Sequence, residues 1–466
     1  MLIRDAEIAP GRVTHVQISG ELIGMISDDL KPDEDGIVVE ARGGALLPGL
    51  HDHHFHLLAF AASLESAECG PSHATSASDL IRILRGAPST DGENWLRGVG
   101  YHESVAGEID RDWLDRAVPD RPVRLQHRGG RLWVLNSRAI EILTAGTNDT
   151  PLEREGGRFT GQLYEGDAWL RHRLGNRRPS LHRASQFLLS RGVTGITDAT
   201  PTNTAAEFEL FRQAFDVREI TQNILVMGDA TLDHVGDVPG IQRGATKIHL
   251  RDADLPPLNE IDARIRHSHT VDRPVAVHCV TLGEIMLAIG AFQDAGAVKG
   301  DRIEHAAVTP PYVLALMAEL GLTVVTQPNF IAERGDAYLR DVEPQDRPWL
   351  YRLLGFLDSG IALAGGTDAP FGGADPWRAM SAAVERRSSG GSPIGPEEAL
   401  TPEQALGLFL GAPRSPGGGA RTIMPGAVAD LCLLQQSWRD ARSNLADAPV
   451  ALTIKSGAIV WDASAR

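Results

Sequence analysis

Apolar residues follow two rhythms along this chain. Residues 1–47 alternate apolar and polar positions over short stretches, "MLIRDAEIA", "HVQISGELIGMIS" and "GIVVEARGGALL", punctuated by Asp, Pro and Gly. That pattern predicts short strands in a small sheet. Residues 421–466 repeat it with "MPGAVADLCLLQQ" and "PVALTIKSGAIVW", so the two chain ends are expected to form one small β-domain. The Gly-rich "SPGGGA" at 415–420 reads as a linker into it.

Between the ends, eight short apolar runs each finish in polar residues: "LLPGLHDHHFH", "GVTGITDAT", "NILVMGDA", "ATKIHL", "PVAVHCV", "DRIEHAAV", "LTVVTQPN" and "IALAGGTDAP". Most precede a helix-like segment, as "TPPYVLALMAELG" follows the sixth. Strand-helix alternation repeated eight times predicts an α/β fold, a TIM-like (β/α)8 barrel over 48–414, with the small domain as a β-sandwich. An open doubly wound sheet is the rival, but its nucleotide-binding forms need GxGxxG or GxxxxGK[ST]. Neither occurs in the required place. The stretch from about 61 to 190, after the first strand, is far longer than a barrel crossover and predicts an inserted subdomain. Its Arg, His, Trp and Tyr content suits it to cover a barrel mouth.

Composition narrows the partners. With 42% hydrophobic and 23% charged residues, the chain is ordinary for a globular protein. Its net charge of -16, from 45 basic and 61 acidic residues, disfavours nucleic acid and anionic membranes and leaves a small-molecule substrate. Three scattered cysteines offer no disulfide framework, and no signal-like start or membrane-length apolar run is present. A cytoplasmic setting is therefore expected.

Side chains at the C-terminal ends of barrel strands point into the mouth, where active sites sit. The first run supplies His54 and His56, the fourth Lys247, the fifth His278, the sixth His305 and the eighth Asp368. His54 and His56 are two apart, so on a strand they share a face and suit one metal ion. His278 and His305 suit a second position, and Asp368 suits a ligand that also exchanges a proton with water. A functional Lys247 beside a dication must be neutral, or converted by CO₂ to a carbamate that bridges two ions. Each residue alone has a plain structural explanation; their order on strands one, four, five, six and eight does not. Asp52 shares the face of His54 and suits an orienting role, whereas His51 and His53 point away. Arg128, Arg131, Trp133 and His102 of the insertion, Gln327 and Asn329 after the seventh run, and Phe371 and Trp377 after Asp368 are candidate substrate contacts.

These residues together resemble the amidohydrolase superfamily. "PGLHDHHFH" matches its PGxxDxHxH, followed by "GVTGITD", Lys247, His278, "RIEHA" and "GGTDAP", and "GAVADLCLL" is similar to its return strand. "DRAVPDRPVRLQHRGGRLWVLNSRA" is similar to the insertion of the amidohydrolase-3 branch, the YtcJ-like proteins that include N-substituted formamide deformylases. The resemblance implies divalent metal, usually zinc: one ion on His54 and His56, a second on His278 and His305, carboxylated Lys247 bridging, and Asp368 as ligand and proton shuttle. It also implies hydrolysis of a non-peptide C–N bond, amide or formamide, and a homodimer. The alternatives are a deaminase or cyclic amide or imide hydrolase using one ion, and a non-catalytic relative, which the complete ligand set argues against. Two departures affect substrate contacts: Arg131 stands where many relatives carry histidine, and "KIHLRDADLPPL" replaces a longer segment with Asp-Gly.

Overall fold

The structure, a computed structural model, describes residues 1–32, 36–88, 94–147, 149–175 and 178–465. The chain divides into two compact units, Met1–His56 with Ala184–Arg466, and Leu57–Arg183.

The larger unit holds eight parallel strands in one sheet: β1 (Leu50–Phe55), β2 (Val193–Asp198), β3 (Asn223–Gly228), β4 (Ile241–His249), β5 (Val275–Cys279), β6 (Arg302–His305), β7 (Thr323–Thr326) and β8 (Leu363–Gly365). Each falls within one of the eight apolar runs or overlaps it. Every residue of β1, β2 and β6 is buried, as expected where helices cover the outside of a parallel sheet and side chains fill its inside. The strands pair in chain order, and past their exits β8 meets β1: Asp368 N–H donates to His54 O at 2.8 Å, and His56 N–H to Ala369 O at 3.0 Å. The sheet thereby curls into the (β/α)8 barrel. Gly366 permits this closure, because a Cβ there would lie 2.4 Å from the His54 Cβ.

The same unit carries the end domain. Strands Leu2–Ala9, Arg12–Ser19, Leu22–Ser27 and Val38–Glu40 make one four-stranded sheet. Leu46–Pro48 joins Leu431–Leu434, Val450–Lys455 and Ala458–Asp462 in another. Ile3, Val16 and Ile18 of the first pack against Leu431, Leu433 and Ile454 of the second, which makes a β-sandwich from both chain ends. The segment read as a linker is instead a strand, Ser415–Ala420, paired antiparallel with Gly411–Ala412. Gly417 in it serves close approach rather than flexibility. Gly417 has φ +71°, and a Cβ there would lie 2.3 Å from the Leu363 backbone nitrogen of β8, an approach that only a residue without a side chain allows.

The smaller unit builds its own five-stranded sheet from Ala67–Glu68, Leu96–Tyr101, Val123–His127, Leu132–Leu135 and Gln162–Tyr164. Leu80, Leu84, Leu114 and Leu125 form one of its apolar clusters and Trp95, Trp133, Leu143 and Leu163 another. No helix among the described residues is long and apolar enough to cross a membrane.

Candidate metal centre

The exit of β1 delivers Asp52, His54 and, one step beyond the strand, His56 to one face, by simple alternation. The pairing of that exit with the segment after β8 then fixes Asp368 beside both histidines. Asp368 Oδ1 lies 3.0 Å from His56 Nε2 and 3.5 Å from His54 Nε2. One ligand atom from each of His54, His56 and Asp368 lies within 4.8 Å of the others.

His305 and His278 extend the cluster. The His305 ring centroid is 4.8 Å from that of His54 and 4.3 Å from that of His278. Alternation on β6 would put only one of Glu304 and His305 inside. His305 escapes the rule with φ +68°, and Asp368 likewise sits at φ +57°. Such left-handed backbone on non-glycine residues is uncommon and concentrates at functional sites.

Three imidazoles are oriented through Nδ1. His54 Nδ1 contacts Glu304 Oε2 at 2.5 Å, His56 Nδ1 contacts Thr200 Oγ1 at 2.8 Å, and His305 Nδ1 contacts Gln327 Oε1 at 2.6 Å. That leaves Nε2 as the nitrogen of each ring that could ligate, the arrangement in which outer hydrogen bonds set ring tautomer and direction. Burial lowers the pKa of His54 and His278 and brings His305 down to about 3, aided by neighbouring cationic side chains. These rings are therefore neutral, as ligands must be. Burial would raise the Asp368 pKa; a proton on His54, His56 or His305 acts the other way, so the carboxylate gives up its proton below its ordinary range.

Lys247 is 3% exposed on β4, and its Nζ has no hydrogen-bond partner; Glu304 Oε1 is 3.8 Å away. Burial brings its pKa down to about 8, against the pull of Glu304. Among the buried atoms at this site that lack hydrogen bonds are Lys247 Nζ and Asp368 Oδ1. Neutral rings, an ionised carboxylate and these unsatisfied atoms fit a site for a divalent cation.

Asp52 orients no ring. Its carboxylate accepts from Thr367 Oγ1 at 2.5 Å and from the Thr367 and His54 N–H groups at 3.1 Å, pinning the residue before Asp368 to β1. His51 and His53 face away from the centre as alternation requires, His51 onto Thr197 Oγ1 at 2.9 Å. Phe371 lies beside the centre, its ring 5.2 Å from that of His56. Asn329 is buried and donates to Thr367 O at 3.0 Å, steadying the β8 exit. Trp377 is 1% exposed, with its indole N–H on Arg191 O, so it forms core rather than a pocket wall.

Within the insertion, Trp133 is 2% exposed and donates to Asp167 at 3.0 Å; its ring is committed to that unit's core instead of a substrate. Arg131 pairs with Glu165 at 2.6 Å on the surface, and the Arg128 N–H donates to Tyr101 O. His102, Glu103 and His127 also cluster there. Both rings accept a backbone N–H at Nδ1, from Ser104 and Gly129. As neutral imidazoles they then carry their protons on Nε2, and those atoms face Glu103 at 3.6 and 3.3 Å. That is a hydrogen-bonded cluster, not a cation cradle.

Residue-by-residue reading of the sequence missed Glu304, Arg302, Thr200 and His249. His249 carried a usable signal: it is two residues from Lys247 on β4, hence on the same face, and its ring lies 4.2 Å from His278. Arg302 donates to Glu304 at 2.6 Å and to His53 O at 3.2 Å across the barrel interior.

Comparison with known proteins agrees with this architecture. The chain is 25% identical to N-substituted formamide deformylase of Arthrobacter pascens, covering 98% of this chain and 94% of that one. It is 23% identical to YtcJ of Bacillus subtilis (strain 168), over 80% and 79% of the two chains. Among solved structures, a metal-dependent hydrolase of Pyrococcus furiosus superposes with a TM-score of 0.72 at 21% identity, covering 94% of this chain and 99% of that one. The pattern of the Amidohydrolase family matches residues 38–461, and the chain belongs to that family.

Proposed function

We propose that this protein is a metal-dependent hydrolase that cleaves the C–N bond of a small non-peptide amide, with formamides the leading substrate class. The convergence of His54, His56 and Asp368 within 4.8 Å at the C-terminal end of the barrel carries this reading. The likeness to a relative named N-substituted formamide deformylase supports the substrate class.

His54, His56 and Asp368 would hold one cation, zinc being the usual choice for such donors; His278 and His305 would hold a second. A cation so held supplies Lewis acidity, strengthening water as a nucleophile near neutral pH and polarising a carbonyl oxygen. Asp368, ionised and aimed at the same point as the two rings, takes a proton from the attacking water as its oxygen adds to the carbonyl carbon. It returns that proton to nitrogen as the C–N bond breaks, leaving a carboxylic acid, formic acid from a formamide, and a free amine. Lys247, buried, without a hydrogen-bond partner and with its pKa brought down to about 8, has a neutral amine within reach near neutral pH; that form could add CO₂ and lose a proton to give a carbamate whose oxygens would be further metal donors.

A one-ion reading, with deaminase-like or cyclic-amide substrates, draws on the same geometry. The three-residue group is sized for a single ion, and Lys247 has Glu304 as counter-charge without any carbamate. Elemental analysis of protein purified without chelator or affinity histidines, wild type and Lys247→Ala, separates the two. Two ions per chain, falling in the variant, together with amine release from formamides that a chelator abolishes, is the expected result. One ion, unchanged in the variant, selects the second reading, and chelator-resistant turnover refutes both.

A further inference from the structure

The reaction above leaves one buried carboxylate without a task. Glu304 is fully buried on β6, and Arg302 Nε donates to its Oε1 at 2.6 Å while His54 Nδ1 meets its Oε2 at 2.5 Å. We propose that Glu304 is the positioning residue of the metal centre: it locks His54 in the tautomer that presents Nε2 to the cation. This rests on the metal-dependent reading proposed for the site.

The argument is one of donor and acceptor inventory. His56 faces a hydroxyl, which gives or takes a hydrogen bond, so Thr200 does not dictate which ring nitrogen bears the proton. His305 faces an amide, which offers an acceptor on one side and donors on the other, so Gln327 adapts by turning over. An ionised carboxylate only accepts. Glu304 is paired in that form with the buried guanidinium of Arg302, whose Nε donates to its Oε1 at 2.6 Å. His54 must therefore carry its proton on Nδ1 and turn its Nε2 lone pair towards Asp368 Oδ1, 3.5 Å away. Of these three ring partners, Glu304 alone leaves the tautomer no choice.

Rigidity comes from behind. Arg302 reaches His53 O at 3.2 Å and Met227 Sδ at 3.4 Å, tying the carboxylate to β1 and β3. The oxygen that Arg302 holds lies 3.8 Å from Lys247 Nζ.

The competing role is a counter-ion for Arg302 in the barrel floor, which would affect stability alone. Two measurements divide them. Long-range proton–nitrogen NMR of metal-free protein labelled at histidine nitrogen, with His54 assigned by its loss in His54→Asn, reads the tautomer without any change at Glu304. A protonated Nδ1 with a low-field proton is expected; a protonated Nε2 overturns the proposal. Co²⁺ affinity, measured by competition with a chromophoric chelator, is expected to fall about 10- to 100-fold in Glu304→Gln. Wild-type affinity in a folded Glu304→Gln protein overturns the positioning role and leaves the hydrolase reading intact. A Glu304→Gln protein that does not fold leaves the NMR result to decide. Wild-type protein that takes up no Co²⁺ overturns the metal reading itself, and the positioning role with it.

Discussion

Asp368 and Glu304 are both buried and both ionised, yet their neighbours give them different work. Asp368 faces the Nε2 atoms of His54 and His56 and has an oxygen with no hydrogen bond; Glu304 has both oxygens engaged. Asp368→Asn should therefore retain a cation on the two histidines while turnover falls about 10²- to 10⁴-fold, the usual worth of a positioned acid-base group. Steady-state amine release and metal analysis on the same preparation check this, and undiminished turnover refutes the shuttle. The histidines, Lys247 and Asp368 were legible in the sequence because each ends an apolar run. Glu304 was not. It adjoins His305, and strand alternation allows one of two neighbours inside; both enter because His305 adopts φ +68°.

At the scale of the element, the centre depends on how β8 closes onto β1. Gly366 lies against His54, so Gly366→Ala places a methyl group 2.4 Å from the His54 Cβ. Overpacking of this kind costs about 1–3 kcal/mol. We expect that loss in urea unfolding, accompanied by weaker metal binding if the displaced His54 ligates as proposed; unchanged stability would show that the closure is looser than the geometry indicates. The strand Ser415–Ala420 carries a related lesson. Three consecutive glycines read as a linker by composition, because composition reports conformational freedom. What composition does not record is the pairing with Gly411–Ala412 and the approach of Gly417 to Leu363, the latter a contact between segments far apart in the chain.

For the whole molecule, a cation held as proposed between β1 and the β8 exit would bind only the folded barrel and would stabilise it by mass action. Free Zn²⁺ at 100 times its Kd should add about 2.7 kcal/mol. Thermal unfolding of chelator-treated protein with and without added Zn²⁺ measures this. The rise in Tm should vanish in the double variant His54→Ala, His56→Ala; an equal rise there would place the stabilising ion elsewhere.

The sequence by itself determined the eight-fold strand order, the sandwich built from both ends, the presence of an insertion and the residues that are candidates to ligate. These follow from local periodicity and from which residue closes each run, and both are written in neighbouring positions. Only the tertiary structure decided which donors meet. His54 and Glu304 are 250 positions apart, and their 2.5 Å contact exists because a closed barrel aims strands one and six at a common axis. Asp52 turned out to pin Thr367 and Trp133 to fill a core for the same reason: a side chain's work is set by what the fold brings to it, and no local pattern records that.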